Sequence, residues 1–206
     1  TVCKKNRLTK ILIIRLSSFG DIVLTTPVIR CLKNQMFASE GGVEIHYLVK
    51  KKFFDVLKGN PHISKFHLFE NGITEIISKL KEDKFDYIVD LHNNIRSLLV
   101  KKKLRTLSFT VDKINVQKWL MVNFKWNFLP DVHIVQRYLN TLKPFGIEND
   151  GLGLDYFIPA EDEVSLTSFP ATHQEGYIAF VIGGNYFTKK LPVEKIISIC
   201  KKMNRP

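Results

Sequence analysis

Residues 10–35 read KILIIRLSSFGDIVLTTPVIRCLKNQ, and this stretch decides the fold. The run Ile11-Leu12-Ile13-Ile14 is short, apolar and rich in β-branched side chains, as suits a strand buried on both faces of a parallel sheet. Ser17, Ser18 and Gly20 follow as turn residues, with Gly20 expected in a backbone conformation that a Cβ would disfavour. Thr25, Thr26 and Pro27 then read as a helix start. The threonine is expected to cap the first free N–H groups, and Pro27 at the first helical position gives up no needed donor. In open α/β sheets ligands sit beyond the carboxyl ends of the strands, so Asp21 is expected where chemistry takes place.

Working outward, the pattern of strand and helix repeats. Residues 43–49 (VEIHYLV), 65–69 (KFHLF), 86–91 (DYIVDL) and 107–111 read as strands. Between them, residues 53–57, 73–81 and the basic stretch up to Arg105 read as helices. Residues 116–129 (VQKWLMVNFKWNFL) carry both tryptophans and read as a core helix with lysines at its edges. Residues 133–144 have helical spacing through Ile134, Tyr138 and Leu142, and Gly146 stops them. Residues 152–158 read as a short strand. The pattern restarts at residues 177–182 (YIAFVI), a further buried strand, followed by the loop 183–191 and a helix opened by Pro192. Strands alternating with helices define the expected fold class, a Rossmann-like parallel α/β sheet with helices on both faces. The expected organisation is a first domain over 1–160, a linker over 161–176, and the opening strand, loop and helix of a second Rossmann-like unit over 177–206.

Composition narrows the function classes. Hydrophobic residues make up 45% and charged residues 25%, ordinary for a soluble globular protein. No apolar run approaches the roughly 20 residues of a membrane span. Residues 1–10 show no small-residue cleavage site, and Cys3, Cys31 and Cys200 lie too far apart for a disulfide or metal framework, so a cytoplasmic location is the default. The six histidines (His46, His62, His67, His92, His133, His173) show no ligand spacing, and no metal is expected. A net charge of +11 favours anionic partners without choosing among nucleic acid, an anionic membrane face and phosphorylated or carboxylated substrates. No Walker loop, dinucleotide fingerprint, helix-turn-helix or zinc-finger signature is present.

The segment SSFGDIVLTTPVIRCLK closely resembles the N-terminal signature of the ADP-heptose:lipopolysaccharide heptosyltransferases, glycosyltransferase family 9. The resemblance implies the GT-B architecture, two Rossmann-like domains facing a cleft, here with the whole acceptor side and only the start of the donor side. A chain of that family is expected to continue past Pro206. Asp21 matches the aspartate of the family's SS-x-GD motif, which implies a general base that takes the proton from the acceptor hydroxyl as it attacks the anomeric carbon. The residue type alone favours a plain helix cap. Burial and a helix N-terminus pull the acidity of Asp21 in opposite directions.

Thr188 and Lys189, in the segment TKKLP, match the family's T-K-x-W-P-like stretch that holds the donor diphosphate, with Leu191 in place of the usual Trp. Arg96 and Arg137 match basic positions facing an acceptor rich in carboxylate and phosphate, groups that a planar guanidinium binds bidentately. Read without the family, Thr188-Lys189 is a solvated basic loop, and the two arginines are surface ion-pair residues. The resemblance implies an inverting glycosyltransferase moving heptose from ADP-heptose to the lipopolysaccharide inner core without metal or other cofactor. Peripheral contact with the inner face of the cytoplasmic membrane is a further expectation, and nucleic acid is not an expected partner. The alternatives are the same fold with another sugar or acceptor, and a non-catalytic basic module that binds anions.

Overall fold

The computed structural model describes residues 8–40, 42–184 and 186–203, with the side chains of 37–40, 116 and 118 left aside. Cys3 lies outside the described residues. The chain divides into two compact units, one ending at Asp162 and the other starting at Glu163.

In the first unit, β1 (Thr9–Ile14) runs through the centre of a five-stranded sheet. The others are β2 (Val43–Lys50), β3 (Lys65–Phe69), β4 (Tyr87–Asp90) and β5 (Leu107–Thr110). All neighbours pair in parallel, in the order β3-β2-β1-β4-β5. The order reverses between β1 and β4, which is where doubly wound sheets open a crevice for ligands.

The period-two alternation of β1 splits its side chains between two cores. Ile11 and Ile13 pack with Val28, Ile29 and Leu32 of α2 (Thr26–Glu40). Leu12 and Ile14 face the other way, towards Ile73, Ile76, Leu80 and Val100. These belong to a 3-10 turn (Ile73–Ile76), α3 (Ile77–Glu82) and α4 (Ile95–Leu104). Residues 11–14 are fully buried, each stabilising the fold by about 1.5–3 kcal/mol of apolar transfer.

α4 starts beyond β4 through a reciprocal cap. Asn94 Oδ1 accepts from Ser97 N–H at 3.0 Å, and Ser97 Oγ accepts from Asn94 N–H at 2.9 Å. Asn94→Ala is expected to cost about 1 kcal/mol, read as a lower urea midpoint with an unchanged slope. A midpoint equal to wild type would mean that solvent caps this helix as well as Asn94 does. Arg105, in the left-handed conformation at φ +53, ends α4. Gly146, at φ +68, ends the segment made of α5 (Ile134–Leu139) and the 3-10 turn Asn140–Phe145, as expected.

Several expectations are corrected. Gly20 lies in the short helix α1 (Phe19–Val23), with no positive φ, and a Cβ there would meet nothing within 4 Å. The threonines do not cap α2 either. Thr25 Oγ1 donates to Ile22 O at 2.7 Å and Thr26 Oγ1 to Val23 O at 2.8 Å, so they close the preceding Phe19–Val23 helix, and Pro27 is the second residue of α2.

Residues 152–158 form no strand. Arg30 of α2 instead holds this segment through Asp150, Asp155 and the Gly153 carbonyl, and Asp155 N–H donates to Thr26 Oγ1. Gly59 admits the segment, since a Cβ there would sit 2.7 Å from Phe157 O. The helix within residues 116–129 spans Asn115–Phe124 and is not core: Trp119, Phe124, Trp126 and Phe128 are all more than half exposed.

In the second unit, residues 177–182 form no strand, because no described segment offers their backbone groups a neighbour to pair with. Pro192 precedes the terminal helix Val193–Met203 as expected.

Candidate active site

The crevice is built where β1 and β4 end side by side. Ile14 is in register with Asp90, and Leu91 N–H donates to Ile14 O at 3.1 Å. Arg15 is the first residue past β1, and its position there turns its guanidinium into the crevice. Nε donates to Ser17 O at 2.9 Å and one terminal nitrogen to Leu91 O at 2.6 Å, tying the two loops together. The other terminal nitrogen lies 2.7 Å from Asp21 Oδ2. The same carboxylate oxygen accepts from Ser18 Oγ at 2.9 Å and, more weakly, from Ser18 N–H at 3.4 Å.

Asp21 is thus the acidic partner of Ser18 at the start of the Phe19–Val23 helix and still keeps 41% of its side chain in solvent. The cap and the exposed base are compatible in one residue. Burial pushes its pKa up, the largest single influence, but the Arg15 charge and the hydrogen bonds from Ser18 and Arg15 outweigh it, leaving the carboxyl below its ordinary value. The opposing pulls expected from the sequence resolve towards the carboxylate, and the cation that decides it is Arg15.

On the β4 side, buried Asp90 shapes the loop. Its Oδ1 accepts from His92 N–H at 3.0 Å and Asn93 N–H at 2.8 Å, while Oδ2 faces Lys101 Nζ at 2.8 Å. Asn93 takes a left-handed conformation at φ +46 and donates from Nδ2 to Val111 O. This turn presents His92, whose Nδ1 is buried without a hydrogen-bond partner among the described residues. Burial, then the charges of Arg15 and Lys113, hold His92 down to about 4, so it is neutral at neutral pH.

The crevice continues to α5. Tyr138 is buried with the Arg15 guanidinium 5.7 Å from its ring centroid, and its hydroxyl feels the charges of Arg15, Asp21 and Arg137. Arg137 donates to Asp112 O and lines a cavity of about 360 Å³ with Thr110, Asp112, Asn140 and Thr141. Arg96 is exposed in the first turn of α4 and makes no ion pair or hydrogen bond among the described residues. Arg137 and Asp21 both act on the Tyr138 hydroxyl, whereas Arg96 is exposed at the start of α4.

Thr188 and Lys189 lie in the second unit, exposed in a single turn (Phe187–Lys189), with Lys189 Nζ 5.5 Å from the Tyr186 ring centroid. Gly184 packs close beneath this turn, since a Cβ there would approach Lys189 O to 3.0 Å.

Arg15, His92 and Tyr138 were not singled out as functional in the sequence. The available signal for Arg15 was a cation ending an otherwise unbroken apolar strand.

The fold and the site define a Rossmann-like α/β domain of the kind that forms one half of a GT-B glycosyltransferase, with a carboxylate at its switch point. The resemblance seen in the sequence is borne out: the chain is similar to lipopolysaccharide heptosyltransferases. No protein-family model matches it. A relative named lipopolysaccharide heptosyltransferase 1, from Campylobacter coli, is 27% identical over 93% of this chain. The chain spans 60% of that relative's length.

Among solved structures, the glycosyl transferase family 9 protein from Veillonella parvula superposes with a TM-score of 0.70 at 19% identity, covering 96% of this chain and 60% of that one. E. coli heptosyltransferase WaaC with ADP gives 0.61 at 19% identity, covering 95% and 65%. At these identities the two structures speak for the fold.

Proposed function

We propose that this chain is the acceptor-side part of an inverting glycosyltransferase that moves heptose from ADP-heptose to the lipopolysaccharide inner core. The observation that carries the reading is Asp21, an ionised, half-exposed carboxylate fixed by Arg15 and Ser18 at the point where the strand order reverses. The named relative and the shared fold support it.

Asp21 accepts the acceptor hydroxyl's proton as the new glycosidic bond forms and the bond from the anomeric carbon to the diphosphate breaks, releasing ADP. A carboxylate of lowered pKa suffices for this, because the attacking oxygen becomes strongly acidic as it bonds to the anomeric carbon. Arg15 holds the carboxylate in place. Arg137 and Arg96 draw in the acidic groups of the acceptor. The second unit begins the donor-binding domain, where Thr188 and Lys189 meet the diphosphate. The transfer uses no metal. The excess of basic residues favours an anionic, membrane-borne acceptor, reached from the cytoplasmic side. No helix among the described residues is long and apolar enough to cross a membrane.

The test is a titration of this chain with a deacylated, Kdo-containing inner-core oligosaccharide at low and moderate salt. Saturable binding that survives moderate salt is expected. Arg137→Ala should weaken it by about tenfold or more, the worth of a charge-assisted hydrogen bond of roughly 1.5–3 kcal/mol. Arg96→Ala, at an exposed residue, should weaken it less. Binding that disappears with salt, or that DNA reproduces equally well, would overturn the reading in favour of a basic anion-binding module.

A further inference from the structure

The sequence spacing of the histidines hides a cluster that the sheet assembles. His46 on β2 and His67 on β3 are 21 residues apart, but the parallel register pairs His46 with Lys65 and Leu48 with His67. Both rings therefore project from one face, as diagonal neighbours. Both are buried, and the Phe85 ring packs edge-on against each of them. Asp83, just past α3, closes the group from above the sheet.

We propose that His46, His67 and Asp83 bind a single divalent transition-metal cation of the zinc class, at a site separate from the Asp21 crevice. His46 Nδ1 and His67 Nε2 are 2.9 Å apart, His67 Nε2 and Asp83 Oδ2 3.3 Å, and His46 Nδ1 and Asp83 Oδ2 3.8 Å. Ligands at about 2.0–2.1 Å from a tetrahedral zinc are about 3.3 Å from each other, so these three atoms outline one face of a tetrahedron with little movement.

The surroundings supply a second, independent sign. The other nitrogen of His46, Nε2, lies 2.7 Å from Glu44 Oε1. A proton donated there leaves the lone pair on Nδ1, aimed at the shared point, and a carboxylate behind a histidine is the arrangement that orients metal-bound imidazole.

Two nitrogens and one carboxylate oxygen suit zinc and its neighbours and do not suit calcium or magnesium, which take oxygen. Lys65 Nζ lies 2.8 Å from Asp83 Oδ1 and 3.1 Å from Oδ2, and Lys10 Nζ lies 3.7 Å from Glu44 Oε2. Lys65 thus engages both oxygens of Asp83, Oδ1 the more closely, and its charge competes with the metal for Oδ2 and moderates the affinity. Without metal, one proton between the two imidazoles occupies the same point. Bound, the cation ties β2 and β3 to the connection between α3 and β4.

The experiment uses the chelator-stripped chain with Cys200 replaced by serine, titrated with zinc chloride alone by calorimetry at neutral pH. A parallel sample is titrated with Co2+ and followed by its visible absorption. One saturating equivalent and the intense absorption of four-coordinate Co2+ are expected. His67→Gln and Asp83→Asn should abolish both, and Glu44→Gln should weaken binding about 10–100-fold. Lys65→Gln should tighten it. If His67→Gln and Asp83→Asn fail to fold, the Glu44 and Lys65 variants carry the test, because their opposite shifts are not expected of a surface site. No saturable binding to folded protein, or binding indifferent to these replacements, would overturn the proposal.

Discussion

Asp21→Asn in the full-length protein is expected to lower kcat about 10²–10⁴-fold, the worth of a positioned general base. Asparagine keeps the shape and can still accept from Ser18, so the loop geometry should persist. What it loses is the negative charge and the ability to take a proton. Folding stability should fall only modestly, since Asp21 keeps 41% of its side chain in water and solvent screens its pair with Arg15. The measurement is single-turnover sugar transfer to a deacylated acceptor, alongside acceptor binding. Wild-type transfer by the variant would remove Asp21 from the chemistry and leave it as the helix cap that its hydrogen bonds with Ser18 also describe.

The pH dependence follows from the same geometry. Asp21 has its folded pKa lowered, despite burial, by Arg15 and Ser18. Its share of stability is therefore fully present above the ordinary aspartate value of about 3.9 and is lost as pH falls through the lower folded value. A base held in this way is ionised across the neutral range. The acid limb of kcat assigned to Asp21 should accordingly lie below the ordinary carboxylate range, and should disappear in Asp21→Asn.

How much of this was legible in the sequence depended on distance along the chain. Local patterns read well: the apolar run of β1, the strands at β2 to β5 and the stop at Gly146 all depend on near neighbours. Asp21 was legible because its motif is contiguous. Arg15 was not, since its meaning comes from the Leu91 carbonyl 76 residues away. The His46–His67 pair was hidden for the same reason, as only strand register brings the rings together. Residues 152–158 and 177–182 have strand-like composition but pair with no strand among the described residues, and a strand is a property of two segments. The aromatics of residues 116–129 looked like core for their side chains alone, yet they stand exposed in this chain.

Arg30→Leu should destabilise the first unit by about 3–5 kcal/mol, because it removes the buried cation of an ion-pair network. The Arg30 side chain is only 6% exposed, and its guanidinium meets Asp150 in a two-pronged pair, with Nε 2.7 Å from Oδ2 and a terminal nitrogen 2.7 Å from Oδ1. It also binds Asp155 and the Gly153 carbonyl at 3.0 Å. Leucine fills much of the space but leaves two carboxylates, each about a fifth exposed, facing each other without a cation.

The expected result is a lower urea midpoint at neutral pH, with part of the loss recovered when Asp150→Asn and Asp155→Asn are added. Arg30 hydrogen bonding lowers the Asp150 pKa strongly against the opposing effect of burial. The pair's contribution is therefore present above the ordinary aspartate pKa and declines as pH falls towards the folded value, so wild type and Arg30→Leu should converge in acid. A neutral-pH difference below about 1 kcal/mol, the level of an exposed ion pair, would mean that packing around Phe157 and Gly59 holds this segment and that Arg30 adds little.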